Sequence, residues 1–387
     1  MYQIRTYNSI AKRGLDVLTH EGIQVTHTDF PDAILLRSYP LNDTTIPSSV
    51  LAVSRAGVGV NNIPVQELTE NGVVVFNTPG ANANAVKELV VMSLIASSRN
   101  LFRAVSWTEH LQGENIEQIV ETRKKEFVGN EIYGKRLGVI GVGAIGVLVA
   151  NDALSLGMDV VAYDPFISVN TAWQLSRDVK RAHQIEELLQ TCDYITLHVP
   201  YTDETKEMMN EKAFMQMKSG VRLLNFSRGE LVNETDLALA LEQKKVATYI
   251  TDFPNERVLE LHNVVAIPHL GASTQESEEN CAFMAAKQLA QYLQTGNIQN
   301  SVNMPNVYLP YTRENRRVTV FHQNIPNMVG QITSILARFS INIADMMNRS
   351  KGLWAYTVMD LDDDVDNKGE LVHEISKIVG VKRVRII

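Results

Sequence analysis

The sequence predicts an α/β protein of two parallel-sheet domains followed by a smaller βαββαβ tail, and three observations carry that expectation. Short β-branched runs alternate with helix-like stretches from the start of the chain. A glycine-punctuated strand-to-helix turn opens a second such series at Leu137, and beyond Val318 the order of elements changes.

In the first series, strands are expected at 2–6, 23–28, 33–37, 51–54 and 73–76. The second begins at Leu137 and continues through 160–163, 194–199, 222–226, 247–251 and 264–267. Alternation of this kind implies doubly wound parallel sheets covered by helices. An apolar helix over 86–98 suits passage from one domain to the next, and a helix over 281–292 returns the chain. The first domain is therefore discontinuous, 1–95 with 285–310, around a second domain at 96–284. Residues 295–310 carry Gly296, Pro305, Pro310 and several asparagines, a composition that reads as a linker. The tail, 317–387, reads strand 318–321, helix 328–339, strand 341–346, strand 353–360, helix 368–378 and strand 382–387. That order is ferredoxin-like. The acidic run 360–366 is most simply a solvated loop.

A chain of 387 residues exceeds what one core usually serves, and 45% hydrophobic with 21% charged residues describes an ordinary globular protein. The net charge of −8 argues against nucleic-acid or anionic-membrane partners while allowing a local basic pocket. Cys192 and Cys281 are too few for a disulfide framework and show no metal-ligand spacing, so buried thiols and no metal are expected. The N-terminus lacks a charged region followed by an apolar stretch, and the longest apolar run, 137–150, is too short to span a bilayer. A cytoplasmic protein is the expectation.

Gly141-Val142-Gly143-Ala144-Ile145-Gly146 follows an apolar strand and is answered by Asp164, eighteen residues after Gly146. Gly141 permits the tight turn, Gly143 lets a pyrophosphate approach, and Gly146 lets the helix pack close. The phosphate then rests on free N–H groups, those of Ala144 and Ile145 among them. Asp164 closes the next strand, where a carboxylate accepts both ribose hydroxyls and repels a 2′-phosphate, which favours NAD over NADP. These features make the second domain a Rossmann domain.

Arg228 follows the strand over 222–226, and its planar fork matches a carboxylate. His269 follows the strand over 264–267 and should emerge at the same edge of the sheet. Glu256 lies just beyond the strand ending near Asp252 and could reach that imidazole. An anion clamp, a base and an orienter suit removal of a hydroxyl proton while a hydride leaves the same carbon.

Several further motifs complete a pattern: 55–62 (RAGVGVNN), Asn77-Thr78-Pro79 with Asn82 and Glu88, Gly134-Lys135, Leu197-His198-Val199-Pro200, Ser227-Arg228-Gly229 and Pro268-His269. On these residues the whole chain resembles the NAD-dependent D-2-hydroxyacid dehydrogenases. The resemblance implies a flavodoxin-like substrate domain ahead of the Rossmann domain, and dimers formed through the latter. It implies that Arg228 binds the substrate carboxylate and keto oxygen, that His269 is the acid/base and that Glu256 pairs with it. His198, Pro200, Thr205, Ser227, Asp252 and Gly271 would line the cofactor, with Asp252 at the nicotinamide amide. Backbone amides at Val58 and Gly59 would hold the carboxylate, while Arg37 and Arg55 would face a phosphate on the substrate. Three departures stand out: Asn61 where aspartate is common, Lys87 within an apolar helix, and Glu256 one residue nearer its strand than usual, which makes Glu260 its rival.

The tail resembles an ACT domain on the residues His322-Gln323-Asn324-Ile325-Pro326, Gly330 and Ile341-Asn342-Ile343-Ala344. The resemblance implies L-serine held by His322, Asn324 and Asn342 between paired tails, and a tetramer built from two kinds of contact. A module that only assembles the oligomer is the alternative. For the whole chain, a reductase of glyoxylate, hydroxypyruvate or 2-oxoglutarate and a non-catalytic dinucleotide sensor also stand open, since fold alone does not separate them.

Overall fold

The structure, a computed structural model, describes residues 1–42, 44–311, 316–362 and 367–387. They divide into two compact units, Met1–Asn82 with Glu278–Ile387, and Ala83–Ser277.

The first unit opens with β1 (Gln3–Tyr7), β2 (Gln24–Thr26), β3 (Ala33–Leu36), β4 (Ala52–Arg55) and β5 (Val74–Phe76). All neighbours are parallel, in the order β2-β1-β3-β4-β5. Helices cover both faces, so the strands read as unbroken apolar runs: all four residues of β3 are buried.

The second unit holds β6 (Arg136–Ile140), β7 (Asp159–Tyr163), β8 (Lys180–Arg181), β9 (Tyr194–Leu197), β10 (Val221–Asn225), β11 (Val246–Thr251) and β12 (Val264–Ala266). Their order is β12-β11-β10-β9-β6-β7-β8, parallel throughout. The strand order reverses between β6 and β9, where open α/β sheets place their ligands. The helix Ala83–Ser98 packs on the glycine-turn helix Ala144–Ser155, and there Lys87 pairs with Asp152 at 2.8 Å. The lysine that interrupts an apolar helix is thus neutralised at a helix contact. Both cysteines are buried thiols, and burial pushes Cys192 up to about 11.

The remainder of the first unit is the long helix Gln275–Thr295, a connecting segment and the tail. The tail strands are β13 (Arg316–Gln323), β14 (Ile343–Lys351), β15 (Trp354–Leu361) and β16 (Val381–Ile386), antiparallel in the order β14-β15-β13-β16. With the helices Met328–Arg338 and Lys368–Ser376 they form the expected βαββαβ unit. Side chains alternate across β13. Val318 and Val320 pack under the two tail helices, while Phe321 joins Tyr356 and Val358 in one core with Ile4, Leu289 and Leu293. One face of the tail sheet is therefore buried on the first domain.

Residues 295–310 are not the linker that their composition suggests. Ile298, Met304, Val307 and Leu309 are buried, and Ile298 bridges Val307. The asparagines serve as internal partners for the backbone: Asn297 exchanges two hydrogen bonds with Leu309, and Asn303 accepts from the Val75 amide at 2.8 Å. Thr312 and residues 363–366 of the acidic run lie outside the described residues. Among the described residues no helix is long and apolar enough to cross a membrane.

Arg317 holds this assembly together. It is fully buried, pairs with both oxygens of Asp360 at 2.6 and 2.7 Å, and donates to the carbonyls of Thr295 (2.8 Å), Leu309 (3.1 Å) and Pro310 (2.9 Å). Arg385 adds bonds to the carbonyls of Leu293 and Tyr292, and the Tyr356 hydroxyl to that of Gly296. The carbonyls of Leu293 and Thr295 are among the acceptors that the end of the helix Gln275–Thr295 leaves open. Removing one partner strands a buried charge, so Arg317→Ala should lower stability by about 3–5 kcal/mol. Urea unfolding checks this, and an unchanged midpoint would remove Arg317 from that role.

Candidate active site

In the second unit the residues after β6, β7, β9, β10, β11 and β12 all emerge at the carboxyl edge of one sheet. The glycine turn comes first. Gly141 sits at φ 90°, and a Cβ there would lie 2.6 Å from the His198 carbonyl oxygen. A Cβ on Gly146 would fall 2.0 Å from the oxygen of Gly141, so only glycine lets the helix Ala144–Ser155 start this close to the strand. A Cβ on Gly143 would meet nothing within 4 Å, and the space its missing side chain leaves open is free for a ligand. Asp164 braces the turn: one carboxylate oxygen accepts from the Val142 amide at 2.7 Å and the other from the Phe166 amide at 2.8 Å. No protein acceptor takes the amides of Gly143, Ala144 and Ile145 among the described residues. Free amides at a helix start and a carboxylate beside them fit a pyrophosphate and a ribose.

Farther along the edge, Ser227 Oγ donates to the Leu197 carbonyl at 2.7 Å, and Thr205 Oγ1 to that of Pro200 at 2.7 Å, which shapes the two loops. His198 has Nε2 at 3.0 Å from Thr196 Oγ1, and its Nδ1 is buried without a partner. Burial alone pushes this imidazole down to about 3, so it is neutral at physiological pH. Asp252 Oδ2 accepts from the Gly271 amide at 3.0 Å, whereas Oδ1 is buried and unpaired. Burial raises the Asp252 carboxyl, and the charges of His269 and Arg228 act in the opposite direction. An orphaned acceptor here fits the carboxamide of a nicotinamide.

A cavity of about 890 Å³ is lined by Gly229, Asn233, Asp252, Phe253, Pro268 and His269, among others. His269 stands at its wall with its ring 4.8 Å from that of Phe253. Arg228 is exposed and donates from one terminal nitrogen to the Ser227 carbonyl at 2.6 Å, while Asn225 Nδ2 holds the Arg228 carbonyl at 2.8 Å. Glu256 does not pair with His269. It begins the short exposed helix Glu256–Glu260, capped by Asn255, and among the described residues no carboxylate, Glu260 included, forms an ion pair with that imidazole. Phe253, absent from the expected site, holds the ring instead. An aromatic residue after a strand carries no distinguishing mark in sequence.

Within the first unit, Arg37 follows β3 and Arg55 ends β4. Arg37 pairs with Glu278 at 2.6 Å, and Arg55 donates to the Arg37 carbonyl at 2.9 Å and to Asn61 Oδ1 at 3.4 Å. Asn77 Nδ2 holds the Val58 carbonyl at 2.7 Å, and the amides of Val58 and Gly59 meet no protein acceptor among the described residues. The residues assigned to serine do not converge in one chain. His322 is buried with Nδ1 at 2.8 Å from the Gln323 carbonyl and Nε2 at 2.8 Å from Thr357 Oγ1. Asn324 bonds to the Gly352 carbonyl at 3.3 Å, whereas Asn342 bonds to Asp362 at the opposite end of the sheet. The register places Asn342 about 25 Å from the His322 row, at 3.3 Å per residue.

If the Asp164 carboxylate also accepts the ribose hydroxyls, Asp164→Ala should weaken NAD roughly tenfold or more and leave NADP little changed. Titration of both nucleotides checks this. Equal losses for the two would mean that Asp164 acts only by bracing the turn.

Residues 91–271 match the family described as D-isomer specific 2-hydroxyacid dehydrogenase, NAD binding domain. The D-3-phosphoglycerate dehydrogenase of Haemophilus influenzae is 32% identical over 87% of this chain and 81% of its own length. That of Methanocaldococcus jannaschii is 36% identical over 66% of this chain, which spans about half (48%) of that protein. An NAD+-bound 3-phosphoglycerate dehydrogenase of Entamoeba histolytica aligns with a TM-score of 0.60 and 27% identity, covering 78% of this chain and 98% of that one. The chain therefore belongs to the D-3-phosphoglycerate dehydrogenases of the D-isomer specific 2-hydroxyacid dehydrogenase family, with NAD as its cofactor.

Proposed function

We propose that the chain oxidises 3-phospho-D-glycerate to 3-phosphohydroxypyruvate with NAD, the first step of serine synthesis by the phosphorylated route. The observation that carries this reading is the carboxyl edge where Arg228, Asp252 and His269 stand together beside a cavity, on a chain of this family. Arg228 keeps most of its fork available for the substrate carboxylate and the developing keto oxygen, since among the described residues its side chain donates from one nitrogen, to Ser227. NAD, when bound, takes the hydride from the carbinol carbon. His269 takes the hydroxyl proton and returns it in the reverse direction. The Phe253 ring orients the imidazole, and pairing of His269 with Glu256 belongs to the same reading. In the first unit, the amides of Val58 and Gly59 hold the carboxylate while Arg37 and Arg55 take the phosphate. The Arg37–Glu278 pair is half exposed on both sides, worth about 0–1 kcal/mol, so a dianionic phosphate displaces the glutamate.

The boundaries 1–95 with 285–310, 96–284 and 317–387 belong to the same reading: substrate domain, NAD domain and ACT domain. A tetramer follows from pairing through both the NAD domain and the tail. L-serine, held by His322 and Asn324 of one copy and Asn342 of another, inhibits by favouring one arrangement of subunits. The opposite-end placement of these residues favours a site shared between copies, although His322 has to exchange one of its buried bonds to take part. A reducing cytoplasm suits two buried thiols.

NADH formation from 3-phosphoglycerate should greatly exceed that from glycerate or lactate, and a preference for lactate would overturn the substrate. His269→Ala should lower turnover roughly 10²–10⁴-fold with NAD binding nearly unchanged. Near-normal turnover would remove it from proton transfer. Calorimetry should detect serine binding to the wild type and not to Asn342→Ala; no heat with either would leave the tail as an assembly module.

A further inference from the structure

A second cavity, of about 470 Å³, lies in the first unit between the start of the first helix, the loop after β5 and one face of the helix Gln275–Thr295. Its charged lining residues are Arg13 and Lys287, and among the described residues no carboxylate lines it. On a chain with a net charge of −8, that is a local inversion of sign. Both cations lie near one aromatic ring: Arg13 Cζ is 4.9 Å and Lys287 Nζ 5.9 Å from the Phe283 centroid. Arg13 is steadied by Asn280 Oδ1 at 2.8 Å, a neutral acceptor that leaves its charge uncompensated. Among the described residues neither cation has an ion-pair partner.

Gln288 lines the same cavity and is 95% buried, being 5% exposed. Its Nε2 donates to the Asn77 carbonyl at 3.0 Å, which decides the orientation of the amide. The other end, Oε1, is buried and accepts from nothing. A buried acceptor without a donor is costly, and a place for a ligand's donor accounts for it. Two unpaired cations and one unpaired acceptor describe a molecule with an anionic group and a neutral hydrogen-bond donor. An ammonium donor is disfavoured beside two cations. A hydroxyl is not.

We propose that this cavity binds a small hydroxycarboxylate, its carboxylate held by Arg13 and Lys287 and its hydroxyl donated to Gln288 Oε1. The ligand then sits one residue away from the loop that shapes the candidate carboxylate site, because the Asn77 that Gln288 holds bonds in turn to the Val58 carbonyl at 2.7 Å. The proposal does not rest on the reaction assigned above, since its test reads the position and affinity of a ligand and not turnover.

The probes are D-glycerate, which has both groups, and acetate, which lacks the hydroxyl. Crystals of the full chain soaked in D-glycerate should show it with the carboxylate between Arg13 and Lys287 and the hydroxyl on Gln288. Calorimetry should resolve a class of D-glycerate sites that weakens roughly tenfold or more in Arg13→Ala/Lys287→Ala, with acetate at least roughly fivefold weaker than D-glycerate at that class. Turnover of the double variant should match the wild type. D-glycerate found only at the catalytic edge, or an isotherm the double variant leaves unchanged, would overturn the proposal; acetate binding as well as D-glycerate would overturn the role of Gln288.

Discussion

Parallel strands all end on the same side, and this constraint organises the chemistry of the chain. Residues scattered over more than a hundred positions, from Gly141 to His269, reach one edge because each follows the end of a strand in the same sheet. The edge also explains the electrostatics there. Strand ends bring carbonyls, helix starts bring free amides, and side chains placed between them are partly stripped of water. Asp252 shows the result: burial raises its carboxyl, while the Gly271 amide and the nearby His269 and Arg228 oppose the shift.

Much of this is legible in the sequence. A strand followed by glycines or by a lone charged residue has few places to go, so Asp164, Arg228 and His269 are assigned to the edge from their positions after β-branched runs, whereas Asp252 enters only through the family resemblance. The strands β1 to β7 and β9 to β13 lie within two or three residues of where their apolar runs put them. The two-residue strand β8, Lys180–Arg181, was invisible, because it is exposed and carries no apolar pattern. β14 extends to Lys351, well past the expected end at 346, since its later residues are polar and exposed while the backbone still pairs with β15.

What escaped the sequence was pairing. Glycine, proline and asparagine normally mark solvated loops, yet Asn297 and Asn303 are buried because each amide answers backbone groups on both sides. Composition registers that they are polar and is blind to the partners that make burial tolerable. The same gap separates Glu256 from His269. Position in the chain brings the carboxylate near the edge, but the direction in which a five-residue helix presents it depends on Asn255 capping that helix, and there it faces solvent. Arg317 is the clearest case. In sequence it is one of two adjacent arginines opening a strand, and its complete burial follows only from the alternation that turns it toward Asp360 and the end of the long helix.

That alternation limits how a signal in the tail could travel. A domain joined by a solvated linker can rotate freely, and binding to it then says little to the rest of the chain. Here Arg317, Arg385 and Tyr356 occupy the carbonyls of Tyr292, Leu293, Thr295 and Gly296, so the tail sheet and the end of the helix Gln275–Thr295 share one set of buried hydrogen bonds. Turning the tail alone would expose unpaired acceptors and a buried ion pair together, a change too costly for a small ligand to drive. The tail, the first sheet and the helix accordingly form one compact unit. That helix begins six residues after His269 and bears Glu278, the partner of Arg37, in its first turn. A ligand that tied two tails together would therefore act on the first unit as a whole, with no separate relay inside it.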